Sequence, residues 1–251
     1  MRMRRIFIDP DVPHGETLSL RGSEAHYLLR VLRLREGDEV TAFDGVGWSC
    51  RAVIARAGSG CATLRVLESI HAATPQRTFA VAQALLKAPA MDTVVQRCTE
   101  LGASAIIGFH TTRSIPRSSG AASGHSRLTR WRALAVEACR QCRRDFIPDT
   151  SLLPSLESLV PLIRGSDGAL VASLREGCAS LSEVLSGGRR ARGMRLLLIV
   201  GPEGDFSGEE LDRLVAHGAV PCRLSDAILR AETAAIAGAA LLGQYLLSRT
   251  V

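Results

Sequence analysis

No apolar run in this sequence approaches the roughly 20 residues that a membrane-spanning helix needs. The N-terminus, MRMRRIFIDP, is basic, but no long apolar stretch follows it, so a secretory leader is not expected. Cysteines at metal or redox spacing are also scarce. The seven cysteines (50, 61, 98, 139, 142, 178 and 222) are scattered, and Cys139 and Cys142 form the one C-x-x-C. A zinc site wants a second pair or placed histidines. The expectation is therefore reduced thiols, no metal, no membrane association and a cytoplasmic location. Neither G-x-G-x-x-G nor G-x-x-x-x-G-K-[ST] occurs, so the usual dinucleotide and nucleoside-triphosphate readings lose their main support. No Ser-His-Asp or H-E-x-x-H pattern offers itself, and there is no internal repeat. Lysine is almost absent: of 31 basic residues, 30 are arginine and one, Lys87, is lysine, a skew that a GC-rich genome would produce.

What remains is a 251-residue chain, 46% hydrophobic and 22% charged, long enough for a sizeable core. The net charge of +6 is unevenly spread. Residues 110–150 hold eight arginines against Glu137, Asp145 and Asp149, a local excess of +5. A solvated helix face and a surface for a polyanion such as nucleic acid both fit this charge.

Residues 1–70 read as short strands with turns: RRIFID, EVTAFD, SCRAVIARA and ATLRVLES. One helix interrupts them, capped at Ser23 and running through HYLLRVLRL, with Leu28, Leu29 and Leu32 on one side. This pattern predicts a small, mainly β barrel at residues 1–72. After HAATPQR (71–77), strands and helices alternate. FAVAQAL (79–85), AIIGF (105–109), GALVAS (168–173), RLLLIV (195–200) and AVPCRL (219–224) read as strands. Helices are expected at 91–102, 127–144, 207–217 and 231–248, with SSGAASGHS (118–126) as a flexible loop. The helix at 207–217 carries a capping box, Ser207 with Glu210, and Gly218 as its stop. Residues 73–251 are thus an α/β domain with a mostly parallel sheet.

In such a sheet, ligands bind beyond the carboxyl ends of the strands. Two loops there stand out, GPEGDF (201–206) and LSDAILRAETA (224–234). A glycine loop between strand and helix usually receives phosphate, but Glu203 and Asp205 would repel one. Taken singly, the first loop is an ordinary turn and Arg230 with Glu232 an ordinary ion pair. Together and in this order they resemble the C-terminal signature of the bacterial 16S rRNA (uracil-N3)-methyltransferase family, a branch of the SPOUT methyltransferases. HYLLRVLRL, LLKAPAMDTVVQRCTELG, TTRS (111–114), RWRALAVEACRQCRR (130–144) and Ile147-Pro148 follow in that family's order and spacing. There are departures: Asp205 and Ser225 replace glycines, Ala227 and Ala90 replace arginines, and Arg97 replaces a lysine.

The resemblance implies a PUA-like β-barrel RNA-binding domain (1–72) followed by a SPOUT α/β-knot domain (73–251) whose chain end forms a trefoil knot. It implies S-adenosylmethionine as methyl donor, 16S rRNA or the small ribosomal subunit as partner, and a homodimer; the apolar face of the last helix (Ile236, Leu241, Leu242, Tyr245 and Leu246) is wide enough for such an interface and equally fits ordinary core. Ser173, Gly201, Pro202, Glu203, Gly204, Leu224, Ile228, Leu229 and Thr233 would then bind the cofactor. The glycines allow close backbone approach, and carboxylates suit a cationic sulfonium where they would repel a phosphate. Uracil N3 must lose its proton to attack, so Arg230 would hold charge on the base while Glu232 or Glu203 takes the proton or orients Arg230. Arg30, Arg33, Arg113, Arg130, Arg140, Arg143 and Arg144 would contact RNA. Another RNA target, or an rRNA-binding protein without catalysis, are the alternative readings.

Overall fold

The structure, a computed structural model, describes residues 4–58, 60–114, 121–187 and 194–248. The chain divides into two compact units, one running up to Thr74 and including Val136–Ile147, the other comprising Pro75–Ala135 and the chain from Pro148 onward.

The first unit is built on a five-stranded sheet of β1 (Arg4–Phe7), β2 (Thr17–Arg21), β3 (Glu39–Phe43), β4 (Trp48–Gly58) and β5 (Cys61–His71), in the order β1-β3-β4-β5-β2. Only the β1–β3 pair is parallel. The strand β2 escapes a reading by pattern because TLSLR offers just two apolar residues; both, Leu18 and Leu20, point into the core. Ile6, Leu28, Val40, Trp48 and Leu64 complete that core. Helix α1 (Gly22–His26) continues as a π-helical turn over Tyr27–Val31. Its N-cap is Arg21 without a side-chain cap, so Ser23 sits inside the first turn and not at the cap. The reason lies in β2: the strand runs to Arg21 and Gly22 turns the chain at φ +61°, which starts the helix earlier than Ser23.

The second unit carries six parallel strands, β6 (Arg77–Ala84), β7 (Ala105–Phe109), β8 (Asp149–Leu153), β9 (Gly168–Ala172), β10 (Met194–Val200) and β11 (Ala219–Cys222), in the order β11-β9-β10-β6-β7-β8. Its helices are α2 (Ala88–Glu100), α3 (Ala121–Cys142), α4 (Val160–Gly165), α5 (Leu181–Ser186), α6 (Gly208–Ala216) and α7 (Ala231–Leu247). The last turns of α3, from Val136, belong to the first unit. A 3-10 turn, Leu156–Leu159, leads into α4. Alternation along β10 shows why the apolar run RLLLIV is buried on both faces. Leu197 and Ile199 join the cluster with Phe206, Leu211 and Leu214. Leu198 faces the other way, toward Gly238 of α7. On that side α2 packs on α7, and the Cys98 thiol lies 3.9 Å from the Ala235 carbonyl.

Helix α3 begins at Ala121, so residues 121–126 are helical and not the loop that their Gly, Ser and Ala content predicts; 118–120 lie outside the described residues. Local propensity is outweighed by burial of Trp131, Ala135 and Cys139 further along the same helix. All seven cysteines are free thiols. In the C-x-x-C, a hydrogen bond with Cys142 and burial both push the Cys139 thiol up, so it stays protonated.

Candidate functional site

The site grows out of the carboxyl ends of β9, β10 and β11, within the second unit. After Val200 the chain turns through Gly201–Phe206. A fully buried amide holds the start of this loop: Gln83, from neighbouring β6, donates through Nε2 to the Gly201 carbonyl at 2.9 Å and the Ala84 carbonyl at 3.0 Å. The Gln83 Oε1 has no hydrogen-bond partner among the described residues. The far end is held by Arg113, whose guanidinium donates to the Gly204 carbonyl at 3.0 Å. Between them Asp205 adopts φ +56°, and its Oδ1 accepts the Phe206 amide at 2.7 Å. The loop ends where Phe206 is buried against Phe109.

Ser207 then caps α6 as read from the sequence. The Glu210 amide donates to Ser207 Oγ at 3.1 Å, and the Ser207 amide donates to Glu210 Oε2 at 2.9 Å. Glu210 does more than cap. Its Oε1 accepts both the amide and the hydroxyl of Thr112 at 2.9 Å, tying the TTRS segment to this helix start. Burial pushes the Glu210 carboxyl up, but the hydrogen bonds from Thr112 and Ser207 and the nearby Arg113 outweigh it and hold the group below its ordinary value.

The second loop leaves β11 at Cys222, whose thiol burial pushes up to about 12. Its start is clamped to the segment before α5: the Arg223 amide donates to Ala179 O and the Leu181 amide to Arg223 O, both at 2.9 Å. Ser173 is buried behind it, its amide donating to Cys222 O at 3.0 Å and its hydroxyl accepting the Arg175 amide at 3.1 Å. The Ser225 hydroxyl accepts the Ala227 amide at 3.1 Å, which stabilises the turn. Arg223 is ion-paired with Asp226. Arg230 is the N-cap of α7.

These loops enclose a pocket of about 660 Å³, within the usual size for a small-molecule site. Its walls include Ser173, Gly201, Pro202, Glu203, Asp205, Leu224, Ile228, Leu229, Arg230 and Glu232, with Lys87 from the β6–α2 turn, Pro89 and Ala90 from the first turn of α2 and Leu174 from the turn after β9. Of the residues expected to hold a cofactor, Gly204 and Thr233 do not line it: Gly204 is exposed where Arg113 grips its carbonyl, and Thr233 is exposed on α7. Arg230 and Glu232 both reach the pocket, and no ion pair joins them. Sequence reasoning missed Gln83 and Lys87. The available signals were an amide inside an otherwise apolar strand and the solitary lysine.

The arginines expected on RNA separate into two groups. Arg140 is nearly buried, paired with Glu24 at 2.7 Å and Glu137 at 3.1 Å and stacked over the Tyr27 ring at 4.3 Å. Arg144 is half-buried, and burial lowers its pKa. Arg130 pairs with Asp92 across α3 and α2, and Arg113 serves the Gly201–Phe206 loop. Arg30, Arg33 and Arg143 are exposed, the latter two at positive φ, 55° and 66°. No salt bridge engages these three among the described residues.

A parallel α/β unit with a pocket at its strand ends, preceded by a β unit, defines a class: the RNA methyltransferase domain family matches residues 73–243, and the RNA methyltransferase PUA domain family matches residues 20–67. The chain is 33% identical to the ribosomal RNA small subunit methyltransferase E of Mycobacterium bovis over 231 residues, 91% of this chain and 87% of the relative. It superimposes on the methyltransferase E of Neisseria gonorrhoeae bound to S-adenosyl methionine with a TM-score of 0.84 at 25% identity, covering 97% and 98% of the two chains. A methyltransferase of Legionella pneumophila in complex with SAM gives a TM-score of 0.87 at 26% identity, again over 97% and 98%. The chain belongs to the ribosomal RNA small subunit methyltransferase E family, with the SPOUT architecture.

Proposed function

We propose that the chain methylates N3 of a uridine near the 3′ end of 16S rRNA, with S-adenosylmethionine as donor, in the cytoplasm. The observation that carries this reading is the chemistry of the pocket wall. Leu224, Ile228 and Leu229 offer apolar surface for an adenine, and Gly201 and Pro202 line the pocket with them. Glu203 and Glu232 bring carboxylates that have no ion-pair partner among the described residues and suit a sulfonium. The residues present therefore fit the cofactor, and relatives solved with it bound support the assignment. When bound, the cofactor supplies an electrophilic methyl group.

The chain's own residues prepare the base. N3 lies on the Watson–Crick edge, so the uridine must be unpaired or flipped into the pocket. Glu232 or Glu203 accepts the N3 proton, and Arg230 stabilises the negative charge that then spreads over O2 and O4. Gln83 and Arg113 act at one remove by holding the Gly201–Phe206 loop in place. On the RNA side we assign the grip to Arg30, Arg33 and Arg143, which are exposed and engaged by no salt bridge among the described residues. On α7, Leu242 and Leu246 are buried in the core, while Leu241 and Leu247 remain exposed and are the residues on which a second copy would dock.

Primer extension tests the function, because reverse transcriptase stops at N3-methyluridine. In a strain lacking this gene the stop near the 3′ end of 16S rRNA should vanish and return on complementation. A stop that persists without the gene refutes the proposal.

A further inference from the structure

Four charged pocket residues, Lys87, Arg230, Glu203 and Glu232, have no ion pair or side-chain hydrogen bond among the described residues, whereas Arg223, which also lines the pocket, is neutralised by Asp226. Two of the four are carboxylates, which suit a sulfonium and a proton. The two cations call for negative charge. Taking the proposed function as its basis, we propose that Lys87 acts with Arg230 on the reacting base, each cation pairing with one of the two carbonyl oxygens that flank N3.

Three features of Lys87 argue for a role in the pocket over a role in the fold. It is the N-cap of α2, where a cation meets the positive end of the helix, and it makes no side-chain cap. The first turn of α2 holds no acidic residue to offset it. A lysine there does nothing for the helix. Elsewhere the chain uses arginine for 30 of its 31 basic positions, so a positive charge alone does not explain lysine at 87. An ammonium is a compact point charge that can address a single oxygen; a guanidinium is a planar fork with a larger footprint. Small neighbours, Pro89 and Ala90, leave that ammonium room on the pocket wall.

The substrate chemistry matches two separated cations. When N3 gives its proton to a pocket carboxylate, the electron pair it keeps is shared with O2 and O4, on either side of the ring nitrogen. One cation per oxygen lowers the cost of the anion, in the way that donors aimed at developing charge lower a barrier. It also selects for an acidic imide, since a base that cannot form such an anion gains nothing from the second cation.

The test uses an rRNA fragment with 5-fluorouridine at the target position, whose ¹⁹F signal reports ionisation of N3, bound to the full-length protein with S-adenosylhomocysteine. In Lys87→Met the apparent pKa of the bound base should rise by about one unit over wild type, with Lys87→Arg recovering part of the shift. The rate kcat should fall roughly tenfold at neutral pH while the Kd for S-adenosylmethionine and the melting temperature hold. An unchanged ¹⁹F titration in Lys87→Met overturns the proposal. So does a loss confined to cofactor affinity, which would put Lys87 on the methionine carboxylate, or a loss confined to RNA affinity, which would put it on a phosphate. If wild type methylates the unmodified fragment but the variants titrate alike, only the role of Lys87 fails. If wild type methylates no uridine, the proposed function fails and takes this role with it.

Discussion

Asp205 occupies the left-handed region at φ +56°, a conformation that favours glycine. Aspartate survives there because its carboxylate bonds the next amide, Phe206, at 2.7 Å. Asp205→Gly should therefore fold about as stably as wild type, whereas Asp205→Ala, with neither the bond nor the freedom, should lose about 1 kcal/mol relative to the glycine variant in urea titrations. Equal stabilities would show that the loop is unstrained. Arg230→Ala should lower kcat by about 10²–10³ with little change in cofactor affinity by calorimetry; parallel losses would make Arg230 a binding residue. Glu210 makes a pH prediction. Its folded pKa lies below the ordinary 4.5, so its contribution is fully present above that value and is lost as pH falls through the folded pKa. The stability gap between wild type and Glu210→Gln should be about 1 kcal/mol at pH 7 and should shrink below pH 4.5. A gap that does not change with pH would remove the charge from the explanation.

Elements show where pattern reading succeeds. AIIGF is strand β7 at the residues read from the sequence, and α6 starts at the capping box that announces it. Both are signalled by neighbours a few residues apart. Strands β2 and β8 and the short helices α4 and α5 escaped notice, since five or six residues hold too few positions for a period to emerge. How α3 meets the sheet depends on a contact between distant residues. A Cβ on Gly108 would lie 2.5 Å from the Trp131 ring and 3.1 Å from Leu85. Gly108→Ala should thus cost about 1–3 kcal/mol by overpacking, read as a lower urea midpoint; a midpoint unchanged from wild type would mean that α3 shifts freely over β7. The candidate site divides in the same way. GPEGDF and LSDAILRAET were legible as loops at strand ends, while Gln83, which holds one of them, looked like one polar residue in an apolar strand.

For the whole molecule the net charge of +6 suggested a partner without saying which arginines would touch it. Folding commits Arg140 to Glu24 and Arg130 to Asp92 and leaves Arg30, Arg33 and Arg143 exposed. Binding of rRNA should weaken steeply with salt, and removing each exposed arginine should reduce the logarithmic salt slope by about 1. Arg140→Ala should instead lower the melting temperature. A salt-independent affinity would sink the electrostatic assignment. The sequence by itself determined most of the alternation of strands and helices, the capping box of α6, the family and the loops that face the pocket, because these are written in residues close together along the chain. Tertiary structure alone decided which charges pair off, which stay free in the pocket, and that Lys87 and Arg230, far apart in sequence, line one pocket. Ion pairing and burial depend on distance in space, and only the folded backbone sets that distance.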